Sequence, residues 1–204
     1  MINPVNYIIS GLILFSASCC TGQNDSLFIK VHFLYGSKPA KEYKQVENKW
    51  FGGIHGGHVS LEIGDSIYGF VPSGGFHVFP KKKNRKSTFT IALLERWKKD
   101  TANMKYTTFI IPVDSLMFAE IYQTNQTYIK RTPYDYAFFG MRCAAATGDI
   151  LGTHGFIKKR GRFRNTCKFF YPKRLRKKLF KIAEEESWTI VSHGGTVRRK
   201  WEKD

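Results

Sequence analysis

Cys143 and His58 are the two residues whose types and settings point most directly to chemistry. The stretch "YDYAFFGMRCAAATGDIL" (134–151) puts Cys143 where a polar, aromatic-rich loop turns into a run of small, helix-forming residues. A thiol in the first turn of a helix is held as its thiolate by free backbone N–H groups and by the helix dipole. To act as a nucleophile it needs a base, usually histidine. The chain offers His32, His55, His58, His77, His154 and His193. His58 is the best placed, because the glycine-rich "WFGGIHGGH" (50–58) ends on it and a strand of alternating apolar residues begins there, a rigid mount beside open backbone. Two other readings of Cys143 stand beside this one: a buried structural thiol, and half of a disulfide with Cys167. His55 and His58, with His77 as a third ligand, could hold zinc, but no cysteine pair or H-E-x-x-H motif accompanies them. No cofactor or metal is therefore expected.

The elements that must position these groups can be read from periodicity. "SLFIKVHFLYG" (26–36), "STFTIALL" (87–94) and "YTTFIIPV" (106–113) have strand composition, and "SKPAKEYKQVENK" between the first strand and the glycine-rich stretch reads as a loop. "HVSLEIGDSIYGFV" (58–71) reads as a hairpin turning at Gly64-Asp65-Ser66, with Val59, Leu61 and Ile63 on one face and Ser60 and Glu62 on the other. "FHVF" (76–79) begins a further short strand, and "TIVS" near the C-terminus a last one. Asp114 can cap a helix reaching about Lys130, whose buried face draws on Leu116, Phe118, Ile121, Tyr122, Tyr128 and Ile129. "MRCAAATGDIL" (141–151) is a second helix, loosened at Gly148. "PKRLRKKLFKIAEEESW" (172–188) is a third, packing through Leu175, Leu179, Phe180 and Ile182. Strands followed by helices with scattered strands predict an α+β domain in which an antiparallel sheet packs against helices.

Two of these segments together resemble a known superfamily. "GGHVSLEIGDSIYGF" resembles the His-bearing hairpin of NlpC-type, papain-like thiol hydrolases, and "YDYAFFGMRCAAATGDIL" resembles their Cys-bearing helix. Histidine precedes cysteine, the circularly permuted order of lecithin:retinol acyltransferase-like proteins and of several bacterial periplasmic families. The segment "RCAAATGDIL" is most similar to one uncharacterised periplasmic family of this kind. The resemblance covers roughly residues 50–155 and implies a permuted papain-like core. It also implies a thiol hydrolase in which Cys143 attacks a carbonyl and His58 is the general base. The group that orients the histidine is Tyr68 or His77, since the histidine usual in the second strand is missing from "SIYGF". The asparagine usual before the cysteine is replaced by Arg142. These departures keep a second reading open, a non-catalytic binding protein on the same fold. In relatives the carbonyl belongs to a peptidoglycan peptide or to a lipid ester.

Bulk properties narrow the setting. At 204 residues, 42% hydrophobic and 15% aromatic, the chain suits one globular domain and not a disordered one. Its net charge of +17 is concentrated in "KKKNRK", "KKRGRFR", "KRLRKK" and "RRKWEK", a surface that attracts anions. The N-terminus, "MINPVNYIISGLILFSASCC", has an apolar run from Tyr7 to Phe15, too short to span a bilayer, followed by small residues. That order predicts a signal over residues 1–20 and a single domain over 21–204. "SASC" resembles a lipobox that would lipidate Cys19 and anchor the protein to a membrane. Export to the periplasm or cell envelope would leave envelope polyanions or peptidoglycan as partners and make nucleic acid an unlikely one in vivo.

Overall fold

The computed structural model describes residues 27–47, 57–75 and 77–203. The expected signal, the lipobox Cys19 and His55 lie outside these residues. The fold is α+β, with a six-stranded, fully antiparallel sheet and five α-helices. Along the chain run β1 (Leu27–Tyr35), β2 (Ser37–Pro39), β3 (Gly57–Ile63), β4 (Ser66–Pro72), β5 (Ser87–Leu93), α1 (Leu94–Thr101) and β6 (Lys105–Val113). They are followed by α2 (Ser115–Lys130), α3 (Cys143–Thr153), α4 (Arg162–Lys168), α5 (Pro172–Glu185), β7 (Thr189–Gly194) and β8 (Arg199–Trp201). The sheet order is β5-β4-β3-β1-β6-β7, and β2 pairs with β8 in a small ribbon. Among the described residues no helix is long and apolar enough to cross a membrane.

The strand alternation read from the sequence sorts residues onto two covered faces. Val31, Phe33, Val59, Leu61, Phe109 and Ile111 form the main core with α2, α3 and α5. Ser60 and Glu62, on the opposite face, are buried as well. There α1 lays Trp97 over His32, ring centroids 4.3 Å apart. Under it His32 Nε2 meets Glu62 at 2.9 Å and Nδ1 meets Thr108 Oγ1 at 2.8 Å, while Lys30 also reaches Glu62. The "LERWKKDT" segment that closes this face is a helix the periodicity did not reveal.

Several expectations hold locally and several change. Asp114 caps α2, its Oδ1 accepting the Met117 N–H at 2.7 Å. Ile121 is buried and Phe118, Tyr128 and Ile129 pack on the core, but Leu116 and Tyr122 are exposed. Gly148 does not loosen α3, which is continuous through it. A Cβ there would lie 2.7 Å from the Phe169 ring, so the glycine lets Phe169 sit against the helix. Of the expected strand "FHVF", Phe76 lies outside the described residues, and among the rest His77 makes only an isolated bridge to Ala137. The segment after β1 is not all loop, since it contains β2 and a 3-10 turn over Lys41–Tyr43.

Candidate functional site

The site lies where two strands part. β3 and β4 are paired from Ile63–Ser66 only as far as Ser60–Gly69, whereas β4 continues against β5 to Pro72. His58 stands at this open end of β3. Its ring crosses Gly69, so a Cβ added at Gly69 would be 3.1 Å from Nε2 and 3.6 Å from Thr90 Oγ1. A Cβ at position 69 would press against the imidazole. His58 also lines a cavity of about 240 Å³ together with Ser60, Thr90, Trp97 and Asp100.

Cys143 reaches the same opening from the other side. It is the first residue of α3, and Ala144, Ala145 and Ala146 are small enough to let that helix lie against β3 and β4. Its thiol lies beside the His58 imidazole and the Val59 and Ala144 backbone N–H groups. Burial pushes the Cys143 thiol up, but the neighbouring imidazole and the two N–H groups outweigh this and hold it below the usual thiol range. Cys143 is buried, at 4% exposure. Cys143 and Cys167 are both free thiols, which removes the disulfide reading.

Tyr136 completes the arrangement. The turn between it and Cys143 is closed by a bridge to Met141 and by the Gly140 N–H donating to the Ala137 carbonyl at 3.1 Å. This folds Tyr136 back onto the N-terminus of α3. Its hydroxyl lies beside the Cys143 sulfur and backbone N–H, and burial with the adjacent sulfur pushes the phenol above its usual range. The sequence contained this residue in the "YDY" motif without giving it a role. Its only signal was a polar aromatic seven residues before the cysteine. Arg142, in the place of the usual asparagine, stacks on Phe170 at 3.6 Å and donates to the Phe170 carbonyl, tying the start of α3 to the loop before α5.

The two candidate orienting groups are engaged elsewhere. Tyr68 lies on the core face of β4, and its hydroxyl accepts from Gln126 Nε2 at 3.1 Å. His77 Nδ1 pairs with Asp135 Oδ2 at 2.7 Å. Asp135 is buried and also accepts the Lys81 and Lys86 N–H groups at 2.9 and 2.8 Å, pinning the "KKKNRK" loop at both ends. Burial opposes ionisation of Asp135, but these donors hold its carboxyl below the usual range. The Thr90 hydroxyl, on the neighbouring strand, donates to the Gly69 carbonyl at 3.3 Å. Among the described residues no group of three or more His, Cys, Asp or Glu side chains could hold a metal. Comparison of the chain with protein-family models, with curated proteins and with solved structures finds no match. What the site can do therefore rests on its geometry.

Proposed function

We propose that the protein is an exported cysteine hydrolase of the amidase or peptidase type, with Cys143 as nucleophile and His58 as general base. The observation that carries this reading is the convergence on one sulfur of a helix N-terminus, two backbone N–H donors and an imidazole. Neither a structural thiol nor a solvated histidine requires all of these together. The proposed core is the permuted papain-like arrangement, with histidine on the strand and cysteine on the following helix.

In the proposed reaction His58 takes the thiol proton and the Cys143 sulfur adds to the substrate carbonyl. The carbonyl oxygen becomes an oxyanion and competes with the Tyr136 hydroxyl for the Cys143 N–H. The hydroxyl can then turn to the oxyanion as a second donor. The imidazolium returns its proton to the leaving amine as the C–N bond breaks, leaving a thioester. Water, deprotonated by His58, adds to the thioester and releases a carboxylic acid and the free thiol. The proposed substrate is an amide in the cell envelope, and the proposed location is the periplasm or, through a lipidated Cys19, a membrane surface. The low exposure of Cys143 favours one other reading, a non-catalytic envelope-binding protein on the same fold.

Incubation with peptidoglycan fragments, followed by mass spectrometry, tests the proposal. Cleavage of an amide with gain of one water, together with a hydroxylamine-sensitive acyl adduct on Cys143, is expected. Both should be abolished by Cys143→Ala. Binding of fragments without cleavage by the wild-type protein would support the non-catalytic reading.

A further inference from the structure

Beside the cleft five large apolar side chains stand in water. Val78 is 57% exposed, Phe79 67%, Phe138 41%, Phe139 55% and Phe163 81%. They form one patch, because the Phe138 N–H donates to the His77 carbonyl at 2.8 Å and the Phe139 N–H to the Val78 carbonyl at 2.9 Å. Phe79 and Phe139 stack with centroids 5.4 Å apart. Phe139 and Phe163 then line a cavity of about 340 Å³ with Lys81, Lys82, Arg85 and Arg162. Asp135 is the one acid among the described lining residues, and it is buried and committed to His77 and the loop backbone. Lys81 and Lys82 are exposed, Arg85 donates to the Thr132 carbonyl at 2.5 Å and Arg162 lies over the Tyr134 ring at 5.2 Å, and no surface carboxylate among the described residues of the cavity wall neutralises these cations.

We infer that this patch docks the protein onto an anionic lipid bilayer, the phenylalanines entering the headgroup region and the surrounding lysines and arginines meeting lipid phosphates. Exposed aromatic side chains ringed by cations match the layering of an anionic bilayer, apolar beneath charged. A single-stranded nucleic acid is the other polyanion that meets aromatics, but here the rings are turned on one another. Phe79 stacks on Phe139, and Phe138 meets Phe139 edge-on at 4.8 Å. The described residues of the cavity wall include no Asn or Gln to read a base edge. Phe138 and Phe139 belong to the turn between Tyr136 and Cys143, so docking brings the cleft to the bilayer surface. The inference stands whether or not Cys143 is a nucleophile.

The test uses the full chain and vesicles of phosphatidylcholine with or without phosphatidylglycerol. Binding should rise with the anionic lipid and fall with salt. Removing two charges in a Lys81→Ser, Lys82→Ser variant should weaken it about thirtyfold, from a contribution of about fivefold per cation at the surface. A Phe163→Trp variant should show added fluorescence, blue-shifted on binding and quenched by brominated-acyl phosphatidylglycerol. That signal is local to position 163, so an apolar N-terminus meeting the same bilayer would not produce it. A Phe79→Ser, Phe139→Ser variant should lose binding while keeping the wild-type melting curve, because both side chains are exposed. Emission from the tryptophan at 163 unchanged by vesicles would overturn the inference. So would emission quenched by single-stranded oligonucleotide and not by vesicles, which would make the patch a nucleic-acid surface.

Discussion

Replacing Gly69 by alanine should disable the thiol without harming the fold. The new Cβ would lie 3.1 Å from His58 Nε2, where ordinary contact begins near 3.4 Å, so the imidazole must retreat by about 0.3 Å or more. Gly69 is not in the left-handed region, so alanine meets no backbone strain there. Losing a glycine from a strand should stabilise the protein by about 0.5–1 kcal/mol, less the cost of moving the ring. Misplacement by about 1 Å costs a reacting pair roughly a hundredfold, so a shift of a third to half of that costs roughly fivefold to tenfold. The assay is stopped-flow alkylation by iodoacetamide at neutral pH in a Cys19→Ser, Cys20→Ser, Cys167→Ser background, which leaves Cys143 as the one cysteine of the chain. Gly75→Ala is the control, since nothing lies within 4 Å of a Cβ at that position. A rate reduced fivefold to tenfold with an undiminished melting temperature is expected. An unchanged rate would refute the seating of His58 over Gly69 as what keeps the thiol reactive.

Three further outcomes follow from the same contacts. Tyr136→Phe removes a donor to the sulfur, so alkylation at neutral pH should slow about tenfold and any acyl transfer should lose kcat more than KM; the pH–rate profile and steady-state kinetics check this. Gly148→Ala would press a Cβ to 2.7 Å from Phe169 and should cost about 1–3 kcal/mol, read as a thermal midpoint lower by several degrees. The Lys30–Glu62–His32 cluster should make the fold acid-sensitive. Burial lowers His32 below its ordinary 6.5 despite Glu62, so the unfolded chain binds that proton more readily and stability falls as pH drops below 6.5. Glu62 is held below its ordinary 4.5, burial being outweighed by hydrogen bonds from His32 and Lys30, so its contribution is present above 4.5 and lost below it. His32→Gln should lessen the fall in melting temperature between about pH 6.5 and 5, leaving the part that His154, also lowered by burial, contributes, and should keep the fall below, as a pH series of thermal melts would show.

The hairpin and the cysteine helix were legible because each carries its own signal. Gly64-Asp65-Ser66 sits between two apolar runs, and three alanines follow Cys143. The second covered face was not legible: Ser60 and Glu62 look like solvent-facing positions, and only α1 and Trp97, packed across the sheet, bury them. The parting of β3 from β4 depends on register and has no sequence signature. Without it the seat of His58 over Gly69 cannot be inferred. Tyr136 reaches the sulfur only because the "AFFG" turn folds back, a tertiary outcome of Gly140 packed against Ala137 and Pro80. His77 was a plausible partner for His58 by position alone. Asp135, also in the "YDY" motif, holds it instead.

The most direct test of the Cys143–His58 pair is the pH dependence of Cys143 alkylation in the Cys19→Ser, Cys20→Ser, Cys167→Ser protein, with and without His58→Ala. Paired with His58, the thiol should stay reactive at pH values below the usual thiol range, and the His58→Ala protein should lose that reactivity. An ordinary thiol profile in the parent protein, unaltered by His58→Ala, would contradict the account.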